Sequence, residues 1–413
     1  MDFNDTAEEA TFRAEVVAWL GEHASVFGQA DRRRHTINED YREDLKRAKG
    51  WQAKKGDAGY ACILWPKEYG GMGGTPMQAA IFREEESKYA VPRGFFEIGI
   101  GMAGPTMMMY ATQEQNEKYL PKMMSGEEAW CQLFSEPSAG SDLAGLKTRA
   151  IQDEEGGDWV VNGTKVWTSG AHFCDYGIFV ARHDPTLPKH RGLTYFFIDM
   201  KSPGIRIERI KQMSGGSSFC EVFFEDVRIP DAQRLGGVGD GWGVALTTLM
   251  NERLAVGDAP PPDASDLLAL AQSMTIDGAP ALENAAVREK LADWFVESRG
   301  LKFTKLRTMT ALSRGQTPGP EASIAKLVGA SKLQDIGSFG MDLADMGGIM
   351  TDPSVMPYDA AFQNGFIYAP GFRIAGGTDE ILRNIIAERV LGLPPDIRVD
   401  KEKPFSQLPT GAN

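Results

Sequence analysis

The chain is short of the residues that would make it a metalloenzyme, a disulfide-stapled domain or a nucleic-acid binder. Its 413 residues include four cysteines, Cys62, Cys131, Cys174 and Cys220, with no CxxC pair among them. That scatter argues against a disulfide framework or a thiolate zinc site and suits a reducing compartment, so a cytoplasmic location is expected. Five histidines form no HExxH motif and no ligand pair; His183 and His190 flank an Asp184-Pro185 turn and read as loop residues, so no metal is expected. Positive charge is also scarce. The 44 Lys and Arg stand against 57 Asp and Glu, a formal net charge of −13, and Arg32-Arg33-Arg34 is the only basic run. Nucleic acid and anionic membrane surfaces are therefore not expected partners. Apolar runs such as YGIFVA are too short to cross a bilayer, and the opening MDFNDTAEEATF is acidic and lacks a signal-peptide core.

What remains has the makeup of a globular protein, 42% hydrophobic and 24% charged, with a length that exceeds one ordinary core. The pattern changes twice along the chain. Residues 1–125 read as a helical domain, with amphipathic stretches at 7–24, 39–54, 75–89 and 113–124 around the glycine-rich loop WPKEYGGMGGTP. Residues 126–232 read as β: YGIFVARH, LTYFFIDM, GIRIERI and EVFFEDVRIP are rich in β-branched and aromatic residues, and Asn162-Gly163 in DWVVNGTKVWTS is a hairpin signal. Residues 233–413 return to helical spacing, broken at APPPD and TPGP, and end in a polar tail. The expected fold is a multidomain α+β protein: an N-terminal helical domain, a middle antiparallel β-barrel or sandwich, and a C-terminal four-helix bundle.

Four stretches invite a chemical reading. Gly99-Ile-Gly101-Met-Ala-Gly104 matches G-x-G-x-x-G, but its flanks are helical, Pro105 follows at once and the window near position 120 reads KYLPKM, so a dinucleotide fold is not expected. LFSEPSAGSDLAG (133–145) crowds small residues around Ser135, Gly140 and Ser141, and such a loop can offer amides and hydroxyls to a flat polar ligand; an ordinary strand-entry loop is the plainer alternative. KVWTSGA (165–171) sets a tryptophan beside two hydroxyls, suited to stacking on a ring or to simple core packing. FRIAGGTDEILRNIIAERVLGLP (372–394) enters a capped helix through Gly376, Gly377 and Thr378, with Asp379 and Glu380 at the positive end of the dipole.

SEPSAGSD, KVWTS, FFEDVRIP and GGTDEILRN occur in one order over about 260 residues, with WPKEYGG before them and GWGVALTTLMNERLAVG (241–257) between. Together they resemble the acyl-CoA dehydrogenase family, over nearly the whole chain. The resemblance implies FAD between the β domain and the C-terminal bundle, an acyl-CoA substrate, and an electron-transferring flavoprotein as acceptor. By motif match, Phe134, Ser135, Gly140 and Ser141 would line the flavin and the thioester, Trp167 would pack on the isoalloxazine, and Thr168 and Ser169 would bond its edge. Thr378 and Glu380 would contact the flavin side chain or pyrophosphate, and Gly347 and Gly348 would lie near the adenosine end.

Two departures stand out. Familiar members carry the catalytic glutamate immediately before the Gly-Thr of the terminal motif, where this chain has Gly376. Other members, isovaleryl-CoA dehydrogenase among them, place it on an earlier helix before an arginine, which here matches Glu252 and Arg253. Glu252 is then the expected base and Arg253 its orienting neighbour, while Gly376 keeps a backbone N–H for the thioester oxygen; a surface helix carboxylate is the alternative for Glu252. The Arg-x-x-Phe-Gly motif of many homotetrameric members is also missing from residues 271–293. A homo- or heterotetramer or a dimer is therefore expected, with a half-site subunit of a heteromeric dehydrogenase, or an acyl-CoA oxidase, as alternatives. The acyl group is not legible.

Overall fold

In chain order the helices are α1 (Ala7–His23), α2 (Tyr41–Asp57), α3 (Pro76–Glu86), α4 (Gly104–Tyr110), α5 (Gln113–Ser125), α6 (Gly241–Ala255), α7 (Ala264–Ser273), α8 (Ala285–Ser313), α9 (Ala322–Leu343), α10 (Ala361–Ile374) and α11 (Asp379–Arg389). The strands are β1 (Trp130–Leu133), β2 (Arg149–Gln152), β3 (Trp159–Ser169), β4 (Tyr176–Arg182), β5 (Leu193–Asp199), β6 (Ile205–Ile210), β7 (Phe219–Ile229) and β8 (Arg234–Leu235). This computed structural model describes residues 5–26, 41–153, 157–255, 262–313, 319–350, 352, 357–398 and 400–409. The Arg32–Arg34 run, most of APPPD and half of TPGP lie outside them. The chain divides into two compact units, one of residues 1–35, 76–90 and 257–395, the other of residues 36–75, 91–256 and 396–413.

The second unit is built on one eight-stranded sheet in the order β6-β7-β3-β2-β4-β5-β8, with β1 beside β4. Pairing is antiparallel except at β1–β4 and the single β2–β4 contact, which are parallel. Alternate residues of β4 and β5 enter different cores. Ile178, Val180, Tyr195 and Phe197 pack with Met107, Leu120 and Val244 of α4, α5 and α6, while Phe179, Ala181, Phe196 and Ile198 pack with Val222, Phe224 and Val227 of β7. Burial on both faces explains why these strands read as unbroken apolar runs rather than as alternation.

Asn162-Gly163 is not a hairpin turn. It lies inside the continuous strand β3, where the register against β7 slips between Val161 and Gly163. Asn162 spans the irregularity, bonding the Asp226 carboxylate at 2.9 Å and receiving the Asp226 N–H at 3.0 Å, and Asp226 itself has a φ of 49°. A side chain at residue 163 would stand 2.5 Å from Thr148 Oγ1, so glycine serves close strand approach in a bulge, not a turn. The G-x-G-x-x-G stretch is likewise a packing device. It forms a π-helical turn at Gly99–Ala103 leading into α4, and a Cβ on Gly104 would stand 2.2 Å from the Trp65 ring. Trp65 then donates its indole N–H to Ile100 O at 3.1 Å.

In the first unit, Leu267, Leu270, Val287, Trp294, Ile336 and Phe362 form the core of the α7–α10 bundle. α9 and α10 approach closely because Gly337 and Gly340 leave room: a Cβ would stand 2.7 Å from Phe366 N at the first and 2.1 Å from the Phe362 ring at the second. α1 is capped by Thr6 through a reciprocal box with Glu9 and buries Phe12, Val16 and Leu20, one residue per turn. Among the described residues no helix is long and apolar enough to cross a membrane, and no group of His, Cys, Asp or Glu could hold a metal ion.

Candidate active site

In the second unit β1 ends at Leu133 and the chain enters the loop that carries Phe134, Ser135, Gly140 and Ser141. The loop closes on itself through reciprocal backbone bonds between Glu136 and Ala139, at 2.9 and 3.1 Å. The Glu136 carboxylate turns inward, accepting from Lys147 N at 2.6 Å and Thr148 N at 3.0 Å and pairing with Lys165 Nζ at 2.8 Å. Lys165 is 0% exposed and also donates to Phe134 O at 3.3 Å and Val180 O at 3.0 Å, so three acceptors meet its three N–H groups. Burial pushes the Glu136 carboxyl up, but the Lys165 ammonium and the amide donors outweigh it and hold the carboxyl below the ordinary glutamate range. Burial draws the Lys165 ammonium down, against the pull of Glu136.

This buried pair joins the loop to β3, and a backbone bond from Val166 N to Ser135 O (2.8 Å) reinforces the join. Phe134 is buried edge-on against Tyr195. The tip, by contrast, is open: Gly140 and Ser141 are exposed, and a Cβ on Gly140 would meet nothing within 4 Å. No packing among the described residues calls for glycine there.

Two residues beyond Lys165, β3 slips register a second time, so that Lys165 pairs with Val222 and Thr168 with Cys220. Trp167 sits in the extra position with a φ of 60°, and the residue is 58% exposed. A bulky residue in the left-handed region costs about 1–3 kcal/mol, and exposing an indole forfeits burial as well. Ser169 is exposed on the same side of the strand, whereas Thr168 is buried, its hydroxyl without a hydrogen-bond partner. The structure thus brings Trp167 and Ser169 to one face, beside the loop tied down by Val166 and Lys165, and turns Thr168 away. An open aromatic face flanked by serine hydroxyls and a bare glycine is the donor set a flat ring with polar edges would need, so the residues present fit a flavin.

Glu252 lies on α6 in the same unit, half-buried, and Gln132 Nε2 donates to its carboxylate at 3.5 Å. Gln132 belongs to β1, two residues before Phe134, so Glu252 neighbours the strand that feeds the loop. One turn before Glu252, the fully buried Thr248 hydroxyl meets Thr106 Oγ1 and Tyr195 OH, each at 2.9 Å, which ties α6 to α4 and β5. The side chain of Arg253 lies outside the described residues.

In the first unit Gly376 and Gly377 adopt φ values of 63° and 95°, turning the chain into α11. Thr378 caps that helix, accepting from Ile381 N at 3.2 Å, and Glu380 is exposed in its first turn. Lys326 grips the turn from beneath, donating to Arg373 O at 3.1 Å and Gly377 O at 2.6 Å, while burial lowers the pKa of its ammonium. Arg373 in turn reaches Asp379 at 2.7 Å and Gln334 at 2.8 Å. The exposed Gly376 N–H has no backbone acceptor among the described residues. Gly347 and Gly348 lie in a 3₁₀ turn, where a Cβ on Gly348 would stand 2.0 Å from Met341 O, a packing reason for that glycine. Sequence reasoning missed Glu136, Lys165 and Lys326. The first two were marked only as the charged members of otherwise small or apolar motifs, and Lys326 carried no local mark.

Models of three domains match the chain: the acyl-CoA dehydrogenase N-terminal domain over residues 6–127, the middle domain over 131–227 and the C-terminal domain over 239–391. The acyl-CoA dehydrogenase FadE34 of Mycobacterium tuberculosis is 36% identical over 392 residues, which are 94% of this chain but 50% of that protein, so the chain spans about half its length. The acyl-CoA dehydrogenase IpdE1 of Mycolicibacterium smegmatis is 34% identical over 408 residues, covering 95% of this chain and 99% of the relative. Among solved structures, the Tcur3481-Tcur3483 steroid ACAD is similar with a TM-score of 0.80 at 26% identity, covering 96% of this chain and 100% of that one. The ChsE4-ChsE5 complex from Mycobacterium tuberculosis follows with a TM-score of 0.77 at 26% identity, at the same coverage.

Proposed function

The chain belongs to the acyl-CoA dehydrogenase family, whose members are FAD-dependent oxidoreductases, and from that premise we propose that it oxidises an acyl-CoA thioester across its α and β carbons to the trans-2-enoyl-CoA, with Glu252 as the base. The observation that carries this reading is the neighbourhood of Glu252, which contacts Gln132 at the mouth of the Phe134–Ser141 loop, while Gly376 offers no carboxylate. An α-proton of a thioester is too weakly acidic for a carboxylate acting alone. Hydrogen-bond donors to the thioester oxygen must offset the charge that develops as the proton moves to Glu252. We assign such a donor to the Gly376 N–H, and to Arg253 an orienting role beside the base.

FAD, when bound on Trp167, would supply the two-electron oxidation by taking up the β-hydrogen with its electron pair. In this chain Phe134, Ser135, Gly140 and Ser141 would line the flavin and the thioester end of the substrate, and the edge bonds would fall to Ser169 rather than to the inward-facing Thr168. Thr378 and Glu380, at the positive start of α11, suit the flavin side chain or pyrophosphate, and Gly347 and Gly348 the adenosine end. The proposed electron acceptor is an electron-transferring flavoprotein, and the proposed setting is a cytoplasmic tetramer or dimer serving lipid catabolism.

A second reading, a half-site subunit of a heteromeric dehydrogenase, is favoured by one observation. Residues 271–293 lack Arg-x-x-Phe-Gly and instead form the end of α7, a two-residue ribbon turned at Asp277-Gly278, and the start of α8. The steroid ACAD named for two polypeptides and the ChsE4-ChsE5 complex fit that reading, and with it a bulky steroid-type acyl group. Expressed alone, the chain should purify with FAD. Glu252→Gln should keep the FAD but slow anaerobic flavin bleaching by acyl-CoA roughly 10²–10⁴-fold. Near wild-type bleaching in the mutant would remove Glu252 from the role of base. A colourless chain that takes up FAD only with a second polypeptide would favour the heteromeric reading.

A further inference from the structure

From sequence the end of the chain reads only as a polar tail, yet residues 400–408 lie along the segment that joins β4 to β5. Phe405 N donates to Leu187 O and Ser406 N to Pro185 O, both at 2.9 Å, and Pro404 pairs with Pro188. The Phe405 ring stands 3.5 Å from the guanidinium carbon of Arg182. Arg182 is 2% exposed and forms no ion pair among the described residues. It donates instead to Ala144 O at 2.6 Å, Leu146 O at 3.1 Å and Lys189 O at 3.2 Å, and burial lowers its pKa to about 10. A guanidinium so placed has exchanged water for three carbonyls and one aromatic face, and the tail supplies the face.

A second cation repeats the arrangement. Lys189, 9% exposed, pairs with Asp142 at 2.9 Å and with Asp400 of the tail. Arg182 and Lys189 therefore each join residues 142–146 to the tail. The segment they hold continues directly from the exposed Gly140 and Ser141, and a Cβ on Gly140 would meet nothing within 4 Å. Glu136 and Lys165 anchor the near end of the same loop, so the tail governs only its far end. We infer that Phe405 and Asp400 are positioning residues that set the Gly140–Ser141 edge of the acyl-CoA site. The inference rests on the reading of that loop as lining the thioester.

Phe405→Ala, Phe405→Trp and Asp400→Asn in the full chain test it. In Phe405→Ala, amide exchange at residues 142–146 should speed by about tenfold, and KM for the acyl-CoA should rise by about the same factor. The rate constant kcat and the bound FAD should stay within about threefold of wild type, because Glu252 and Trp167 are held by the separate Thr248 and Lys165 contacts. Phe405→Trp should restore both readouts, and Asp400→Asn should move them in the same direction by a smaller factor. Should Phe405→Ala not fold, Asp400→Asn carries the test alone. Unchanged exchange and KM in a folded variant, or a fall in kcat equal to the rise in KM, would overturn the inference. Faster exchange in a protein whose flavin no acyl-CoA perturbs would leave the positioning role standing and remove the substrate assignment.

Discussion

Two lysines sit under the two glycine-bearing turns, and they are not equivalent. Lys165 is fully buried and divides its three N–H groups between two carbonyls and the Glu136 carboxylate. Lys326 is half-buried and holds two carbonyls, with Asp379 engaged by Arg373 rather than by itself. The first arrangement is a closed set that water cannot replace, and it fixes both the Phe134–Ser141 loop and the strand bearing Trp167. The second is a grip on one turn, open to solvent on one side. Removing a partner from the closed set leaves a charge stranded; removing one from the open set leaves carbonyls that water can solvate.

That contrast can be broken experimentally. Lys165→Met leaves Glu136 buried without its cation and should cost about 3–5 kcal/mol, read as a lower midpoint in chemical unfolding. Adding Glu136→Gln should recover part of the loss, and a double variant no better than the single would show that the charge pair is not the source. Lys326→Met should cost less, about 1–3 kcal/mol, and the loss should be local, seen as faster amide exchange at Ile381, whose N–H the Thr378 cap receives. A global loss equal to that of Lys165→Met would erase the distinction. The smallest effect is in the acid limb. Because Glu136 is held below the ordinary glutamate range, the stability it lends is complete above that range and is lost as pH falls through the lowered value. Glu136→Gln should therefore flatten acid unfolding on the low side of the glutamate range while leaving the profile above it unchanged in shape.

The layout was legible because it rests on local pattern. Thr6 and Glu9, the α7–α10 apolar spacing and the β-branched strands each signal their own structure. Pairing was less legible. The parallel β1–β4 contact joins residues more than 40 apart, and Asn162-Gly163 is the same dipeptide whether it turns a hairpin or relieves a bulge. At the candidate site, Trp167, Ser169 and Gly140 are each exposed in the second unit. What the motifs could not give was the split between Ser169 and Thr168, because the register of β3 depends on its partner β7. Arg182 and Phe405 were invisible for a related reason: each is unremarkable until a chain end more than 200 residues away lies across the other.

The slip in β3 before Thr168 has a consequence for variation. In an even strand Lys165, Trp167 and Ser169 would share one face. One extra residue lets Lys165 and Thr168 both point inward while Trp167 and Ser169 point out. The outward face thus depends on the slip as much as on which residues stand there. A deletion of Val166 alone would remove the extra residue and with it the need for the slip, leaving Lys165 and Thr168 inward and Trp167 and Ser169 outward in an even strand. Loss of one residue there can be absorbed; loss of the slip with the residue kept cannot, because the indole would then turn inward.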